Sequence, residues 1–202
     1  MHGWGVWNVL DLDRVLDNFR SGHKVDSEDQ AAMVTDTAYI YYGQYTGRGL
    51  LSKMIQLFTW SDRSHTAAFR QPTDGVFGNV IEAWKKGVTE QHWTKNHAPG
   101  TIIDVYRVPC TQKQADDFYR HMASLKGKKY DFLGVLSFGL RWNIGRAGRW
   151  FCSEYVAWAA GLSKIVLLKN CPPHKVFPGM LDLVPSAEFV ERLIVPKSLV
   201  SP

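Results

Sequence analysis

Two short apolar runs on either side of a turn sequence constrain this chain more than any other feature. Ser64-His65-Thr66-Ala67-Ala68-Phe69 and Val80-Ile81-Glu82-Ala83-Trp84 flank Pro72-Thr73-Asp74-Gly75. β-branched and aromatic residues suit a pleated, half-buried surface, and Pro, Asp and Gly supply the backbone angles of a tight turn. The stretch is therefore predicted to be an antiparallel hairpin. With the turn between Thr73 and Asp74, His65 stands directly opposite Glu82, and facing Cβ atoms lie about 5 Å apart. Gly75 and Gly78 leave a bulged, longer loop open as the alternative. A carboxylate opposite an imidazole holds one ring nitrogen and leaves the other for a nucleophile. An ordinary strand histidine beside a surface glutamate has the same sequence.

Other segments follow their periodicity. Asp36–Gly43 and Thr101–Val108 read as strands, as does Phe189–Val195. Leu50, Leu51, Met54, Ile55, Leu57 and Phe58 give a helix, as do Ala115, Phe118, Tyr119 and Met122 within Gln112–Leu125. Phe151–Ala160 is a buried helix stopped by Gly161. Residues 1–35 read as a helical N-terminal extension, with Val9, Leu12, Val15, Leu16 and Phe19 on one face, and 36–202 as the main domain. The expected class is α+β, with helices packed on an antiparallel sheet.

Composition narrows the function. Of 202 residues 45% are hydrophobic and 21% charged, as in a folded chain rather than a disordered one. A net charge of +5 suits acidic partners such as an anionic cell-wall polymer, phospholipid or nucleic acid. The basic residues are scattered apart from Lys126-Gly127-Lys128-Lys129, and without a basic-aromatic stripe no nucleic acid is expected. No run of eighteen apolar residues predicts a transmembrane helix. The N-terminus lacks the pattern of a cleaved signal, so the chain is expected to be made in the cytoplasm and, if it acts outside, to leave by another route. Three cysteines, Cys110, Cys152 and Cys171, do not make a disulfide framework. Cys171-Pro-Pro-His174 needs two more zinc ligands and Cys110 alone does not complete the set. Neither metal nor cofactor is expected.

Cys152 stands where Trp150-Phe151 meets a helix start. The unpaired amides there favour a thiolate and can hold an oxyanion, and Arg146 and Arg149 upstream push the same way. A buried structural cysteine on an apolar helix fits the same residues. The other histidines are weaker candidates. His92 and His97 lie in a polar stretch, His2, His23 and His121 elsewhere, and no sequence pattern places a carboxylate opposite any of them.

Four motifs occur in order: Ser64-His65, Val80-Ile81-Glu82-Ala83, Gly127-Lys128-Lys129-Tyr130-Asp131-Phe132 and Phe151-Cys152-Ser153-Glu154. This order resembles the circularly permuted NlpC-type, papain-like cysteine hydrolases, in which the histidine strand comes first and the cysteine helix late. The likeness spans roughly residues 36 to 190. It implies a permuted papain-like fold with Cys152 as nucleophile at a helix N-terminus, His65 as base and Glu82 as the orienting acid. It implies that Tyr130 lines the site, binding substrate or steadying the oxyanion, with Ser64 and Ser153 as further substrate contacts. Asp131 and Glu154 match family positions but read as structural. The segment between Phe132 and Arg149, with Arg141, Trp142, Asn143 and Arg146, departs from the family and is expected to form a lid or specificity wall.

The resemblance implies amide hydrolysis, mostly in peptidoglycan stem peptides. The chain is also similar to wall-degrading effectors delivered by type VI secretion, which implies a secretion carrier, a cognate immunity protein and delivery to the periplasm of a target bacterium. A cytoplasmic recycling amidase would look the same. Lipid acyl hydrolysis or acyl transfer on the same fold, and a non-catalytic binding module, are the other expectations.

Overall fold

The computed structural model describes residues 37–84, 86–130 and 149–197, and the side chains of Tyr130 and Arg149 are not part of that description. The expected helix in residues 1–35 and the expected lid between Phe132 and Arg149 therefore fall outside the described residues.

The chain runs β1 (Thr37–Thr46), α1 (Leu50–Thr59), β2 (His65–Phe69), β3 (Asn79–Trp84), β4 (Gly87–His92), β5 (Ile102–Thr111), α2 (Gln112–Ser124), β6 (Lys129–Tyr130), β7 (Arg149–Trp150), α3 (Cys152–Leu162) and β8 (Glu188–Ile194). Two 3₁₀ turns, Pro173–Lys175 and Pro178–Leu183, lie between α3 and β8. Six strands form one antiparallel sheet in the order β4-β3-β2-β1-β5-β8, and β6 and β7 form a short parallel pair. This is the α+β arrangement expected from the periodicity.

Two apolar layers hold the sheet. Ile40, Tyr42, Ala68, Ile81, Ala83 and Val108 pack with Phe118 and Met122 of α2 and Tyr155 and Val156 of α3. Tyr45, Ala67, Phe69, Val80, Ile103 and Val105 form a second, smaller cluster. Strand side chains alternate between faces, so neighbours such as Ala67 and Ala68 belong to different clusters. Burying a side chain such as Phe118 stabilises the fold by about 1.5–3 kcal/mol. α2 begins with a reciprocal cap: Thr111 Oγ1 accepts from the Gln114 amide at 3.2 Å, and Gln114 Oε1 accepts from the Thr111 amide at 3.0 Å. In the first turn of α3, Glu154 Oε2 accepts from the Phe151 amide at 3.4 Å, the structural role expected of it.

β4 is missed by sequence periodicity. It is an edge strand with one neighbour in the sheet, and its outer residues Thr89, Glu90 and Gln91 are polar. Gly87 opens it at φ 103°, and the Lys128 carbonyl lies where a Cβ would stand. The Val88 amide donates to that carbonyl at 2.8 Å, and the Gly127 amide donates to the Val88 carbonyl at 2.9 Å. Gly87→Ala is expected to destabilise the protein by about 2 kcal/mol or more, because it meets both a backbone clash and a forbidden φ. A fall in the urea midpoint measures it, and an unchanged midpoint contradicts the tie between β4 and the 127–128 loop.

Candidate functional site

The site is set by where the hairpin turns. Asp74 and Gly75 both have positive φ, 51° and 76°, and Thr73 pairs with Val76 across them. These are the angles of a two-residue type I′ turn, whose twist matches that of the flanking strands. The turn is therefore centred between Asp74 and Gly75, one residue later than expected, because the φ > 0 positions fall on those two residues. The ladder then pairs Ala68 with Ile81 and Phe69 with Val80. This shifts the register by two residues, so His65 does not stand directly opposite Glu82. A two-residue shift keeps every side chain on its own face, and the two still meet diagonally: His65 Nε2 lies 2.6 Å from Glu82 Oε2.

Two further residues converge on the same carboxylate. His97, from the loop between β4 and β5, places Nε2 3.1 Å from Glu82 Oε2. Gln91, on β4, donates from Nε2 to Glu82 Oε1 at 2.5 Å. From the sequence His97 is a weaker candidate with no carboxylate opposite it, and the structure corrects this. The loop is fixed by tertiary bonds: Trp84 Nε1 to the Asn96 carbonyl, Trp93 Nε1 to the Phe77 carbonyl, and Asn96 Nδ2 to Gln91 Oε1. The only signal in the sequence was Asn96 beside His97, a residue type that tolerates the left-handed φ of 65° seen here.

Glu82 and His65 are each 1% exposed. Aromatic rings wall them in: Tyr45 and Trp84 lie 5.0 and 4.5 Å from the His65 ring, centroid to centroid. Burial alone raises the Glu82 carboxyl, but hydrogen bonds from His65 and His97 outweigh it and hold it far below the usual range, so it is ionised. Burial lowers His65 and outweighs the support of Glu82, so the imidazole is neutral. A neutral ring whose Nε2 faces a carboxylate carries its proton there. His65 Nδ1 is then a bare acceptor, and it is buried without a hydrogen-bond partner.

Cys152 is the first residue of α3 and is 1% exposed. Its thiol lies against the backbone amides of Thr66, the residue after His65, and of Ser153. The amides favour the thiolate as the helix-start argument expects. Burial is the larger effect, and with the Glu82 charge it pushes the thiol up to about 12. The expected shift of Cys152 toward the thiolate is corrected: burial outweighs the helix-start amides and keeps the thiol neutral. The His65–Glu82 half of the expected triad is hydrogen bonded, whereas the Cys152–His65 half is not. Near neutral pH, Cys152 is expected to be the slowest of the three thiols to react with iodoacetamide, after the half-buried Cys171 and Cys110. Peptide mass mapping over time checks the order, and first modification at Cys152 contradicts it.

The remaining expected site residues fall as follows. The Ser64 hydroxyl accepts from the Gly47 amide at 3.0 Å and donates to the Tyr45 carbonyl at 3.1 Å. The Ser153 hydroxyl donates to the Val176 carbonyl at 2.7 Å. Both side chains are buried and tie the backbone together; Ser64 also borders the cavity beside His65, whereas the Ser153 hydroxyl reaches a ligand only by breaking its bond to Val176. Tyr130 pairs with Trp150 in the β6–β7 ladder, two residues before Cys152. A cavity of about 160 Å³ borders His65 and His97, with Tyr45, Arg48, Ser52 and Trp84 among its walls. Among the described residues no helix is long and apolar enough to cross a membrane.

No family model matches the chain, and no curated protein matches it. Among solved structures it is similar to the metalloprotein YiiX from Escherichia coli O157:H7, a DUF1105 protein, at 22% sequence identity and a TM-score of 0.53. The match covers 77% of this chain and 97% of that one. At this identity the likeness is one of fold.

Proposed function

We propose that this chain is a cysteine hydrolase of amide bonds, with peptidoglycan stem peptides as the substrate class. The observation that carries the reading is His65: Nε2 is bound to an ionised Glu82, Nδ1 is buried and unpartnered, and the Cys152 thiol rests on the backbone of the next residue. The order of the histidine strand, glutamate strand, Tyr130 strand and cysteine helix supports the finer reading of the fold as permuted papain-like.

In the proposed reaction His65 Nδ1 takes the thiol proton and the sulfur attacks the amide carbonyl. Backbone amides at the head of α3 face the developing oxyanion. His65 returns the proton to the leaving amine, which departs as the carbon–nitrogen bond breaks and leaves a thioester. Water, deprotonated by the same ring, then releases the acid and restores the thiol. Hydrogen bonds between nucleophile and base are commonly loose before substrate binds, so closure of Cys152 onto Nδ1 is part of the proposal. The net positive charge suits an anionic wall, and delivery by type VI secretion belongs to the same reading.

A second reading, lipid acyl hydrolysis, is favoured by α1. Leu50 and Leu57 of this helix and Trp60, which caps its C-terminus, are 81%, 70% and 94% exposed, and the start of the helix lines the cavity beside His65. Incubation with purified peptidoglycan and with phospholipid vesicles, followed by mass spectrometry, separates the two. New amines on stem peptides support the amidase and lysolipid supports the lipase. Full activity of Cys152→Ala on either substrate rejects both. YiiX is a metalloprotein, and the residues here whose chemistry fits a cation are His65, Glu82 and His97.

A further inference from the structure

We infer that His65, Glu82 and His97 form a site for one zinc-class divalent ion, and that filling it moves the His65 ring proton from Nε2 to Nδ1. The donor atoms, two imidazole nitrogens and one carboxylate oxygen, all lie within 4.8 Å of one another. Two nitrogens and an oxygen match the borderline-soft first-row metals, and two histidines with one glutamate is a ligand set found at zinc sites that keep an open position. Calcium and magnesium prefer oxygen throughout.

The three donors come from separate parts of the fold, β2, β3 and the β4–β5 loop, and the carboxylate is also held from outside the group. Gln91 Nε2 holds Glu82 Oε1 at 2.5 Å and leaves Oε2 to face both rings. This is the outer support that orients a ligating carboxylate. The cavity beside His65 and His97 gives room for a fourth ligand such as water.

The tautomer change follows from valence. Without an ion, both Nε2 atoms face one carboxylate oxygen and donate to it. A bound ion needs the lone pairs of those same nitrogens, so each neutral ring must carry its proton on Nδ1. For His65 that is the atom the proposed hydrolase uses as its base. On that reading, which this consequence alone requires, an occupied site silences Cys152 because no acceptor remains for the thiol proton. The hydrogen-bonded trio and the ion site are two uses of one set of atoms.

The test uses the untagged full chain, stripped with chelator and titrated with Zn²⁺ and with Co²⁺. Equilibrium dialysis with elemental analysis gives stoichiometry, cobalt absorption reports the ligand field, and ¹⁵N NMR of the histidine rings reports the tautomer. One ion per chain is expected in the wild type and in Cys152→Ala, with weakening by roughly 100-fold or more in His97→Ala, since loss of outer-shell partners alone costs 10–100-fold. Gln91→Ala is expected to weaken binding by about 10–100-fold. Wild-type affinity in a His97→Ala protein with an unchanged near-UV spectrum overturns the site, as does the absence of stoichiometric binding in the wild type. An ion bound while His65 keeps its proton on Nε2 overturns the tautomer change. Stoichiometric binding by a chain whose metal-free form cleaves neither peptidoglycan nor lipid supports the site and rejects the hydrolase reading by itself.

Discussion

Glu82→Gln is expected to cut release of stem-peptide amines by on the order of 10³-fold or more while the protein stays folded. The carboxylate accepts three N–H groups, from His65, His97 and Gln91. An amide of the same size has one acceptor oxygen and two N–H donors. When its nitrogen faces His65, the ring must accept at Nε2 and carry its proton on Nδ1, so the base is lost without loss of the residue. Removing the acid that sets a histidine tautomer has an effect of this order in serine hydrolases. Stability is expected to fall by about 1–3 kcal/mol, the cost of leaving a buried donor poorly satisfied. Turnover, urea unfolding and ring ¹⁵N shifts read the three effects separately. Wild-type turnover from a folded Glu82→Gln protein removes Glu82 from the mechanism.

Asp104→Ala is expected to cost about 1.5–3 kcal/mol of stability, because it removes the hydrogen bonds that a buried carboxylate accepts from Arg63 and from the largely exposed Arg192. Asp104 lies on β5, opposite Arg192 of β8. Arg192 Nε and Nη2 donate to its two oxygens at 2.7 and 3.1 Å, and Arg63 Nη1 approaches at 2.8 Å. Arg63 also binds Asp182 at 2.7 Å, so its charge keeps one partner. The pair also has a pH signature. Burial raises the Asp104 carboxyl, yet hydrogen bonds from Arg192 and Arg63 outweigh it and hold it below the ordinary value. A depressed folded value means that the stabilisation is complete above the unfolded value, about 4, and is lost as pH falls through the folded value. Asp182 has the opposite sign, since burial leaves it raised; its contribution is present at low pH and lost as pH rises through its folded value. Acid unfolding followed by circular dichroism is expected to be less steep below about pH 4 in Asp104→Ala than in the wild type. Equal slopes count against the Asp104 contribution.

Much of the architecture was legible along the chain. The aromatic alternation of Thr37–Thr46 and the apolar spacing of Gln112–Ser124 appear as β1 and α2 with boundaries close to those expected. The pairing of His65 with Glu82 was legible for a robust reason: side chains alternate with period two, so a register error of two residues still leaves them on one face. The polar edge strand β4 was not legible, because a strand with one neighbour has no need of an apolar run.

Residue order alone determined that a histidine and a glutamate lie across a hairpin and that a late helix starts close to Cys152, since local turn chemistry and apolar periodicity act over a few residues. Tertiary structure alone decided that His97 and Gln91 reach the same carboxylate, because a loop held by Trp84, Trp93 and Asn96 sets their position. It also decided that Cys152 is a neutral thiol. Helix-start amides are local and visible in the order of residues, but desolvation depends on everything packed around the sulfur, and here it is the larger effect.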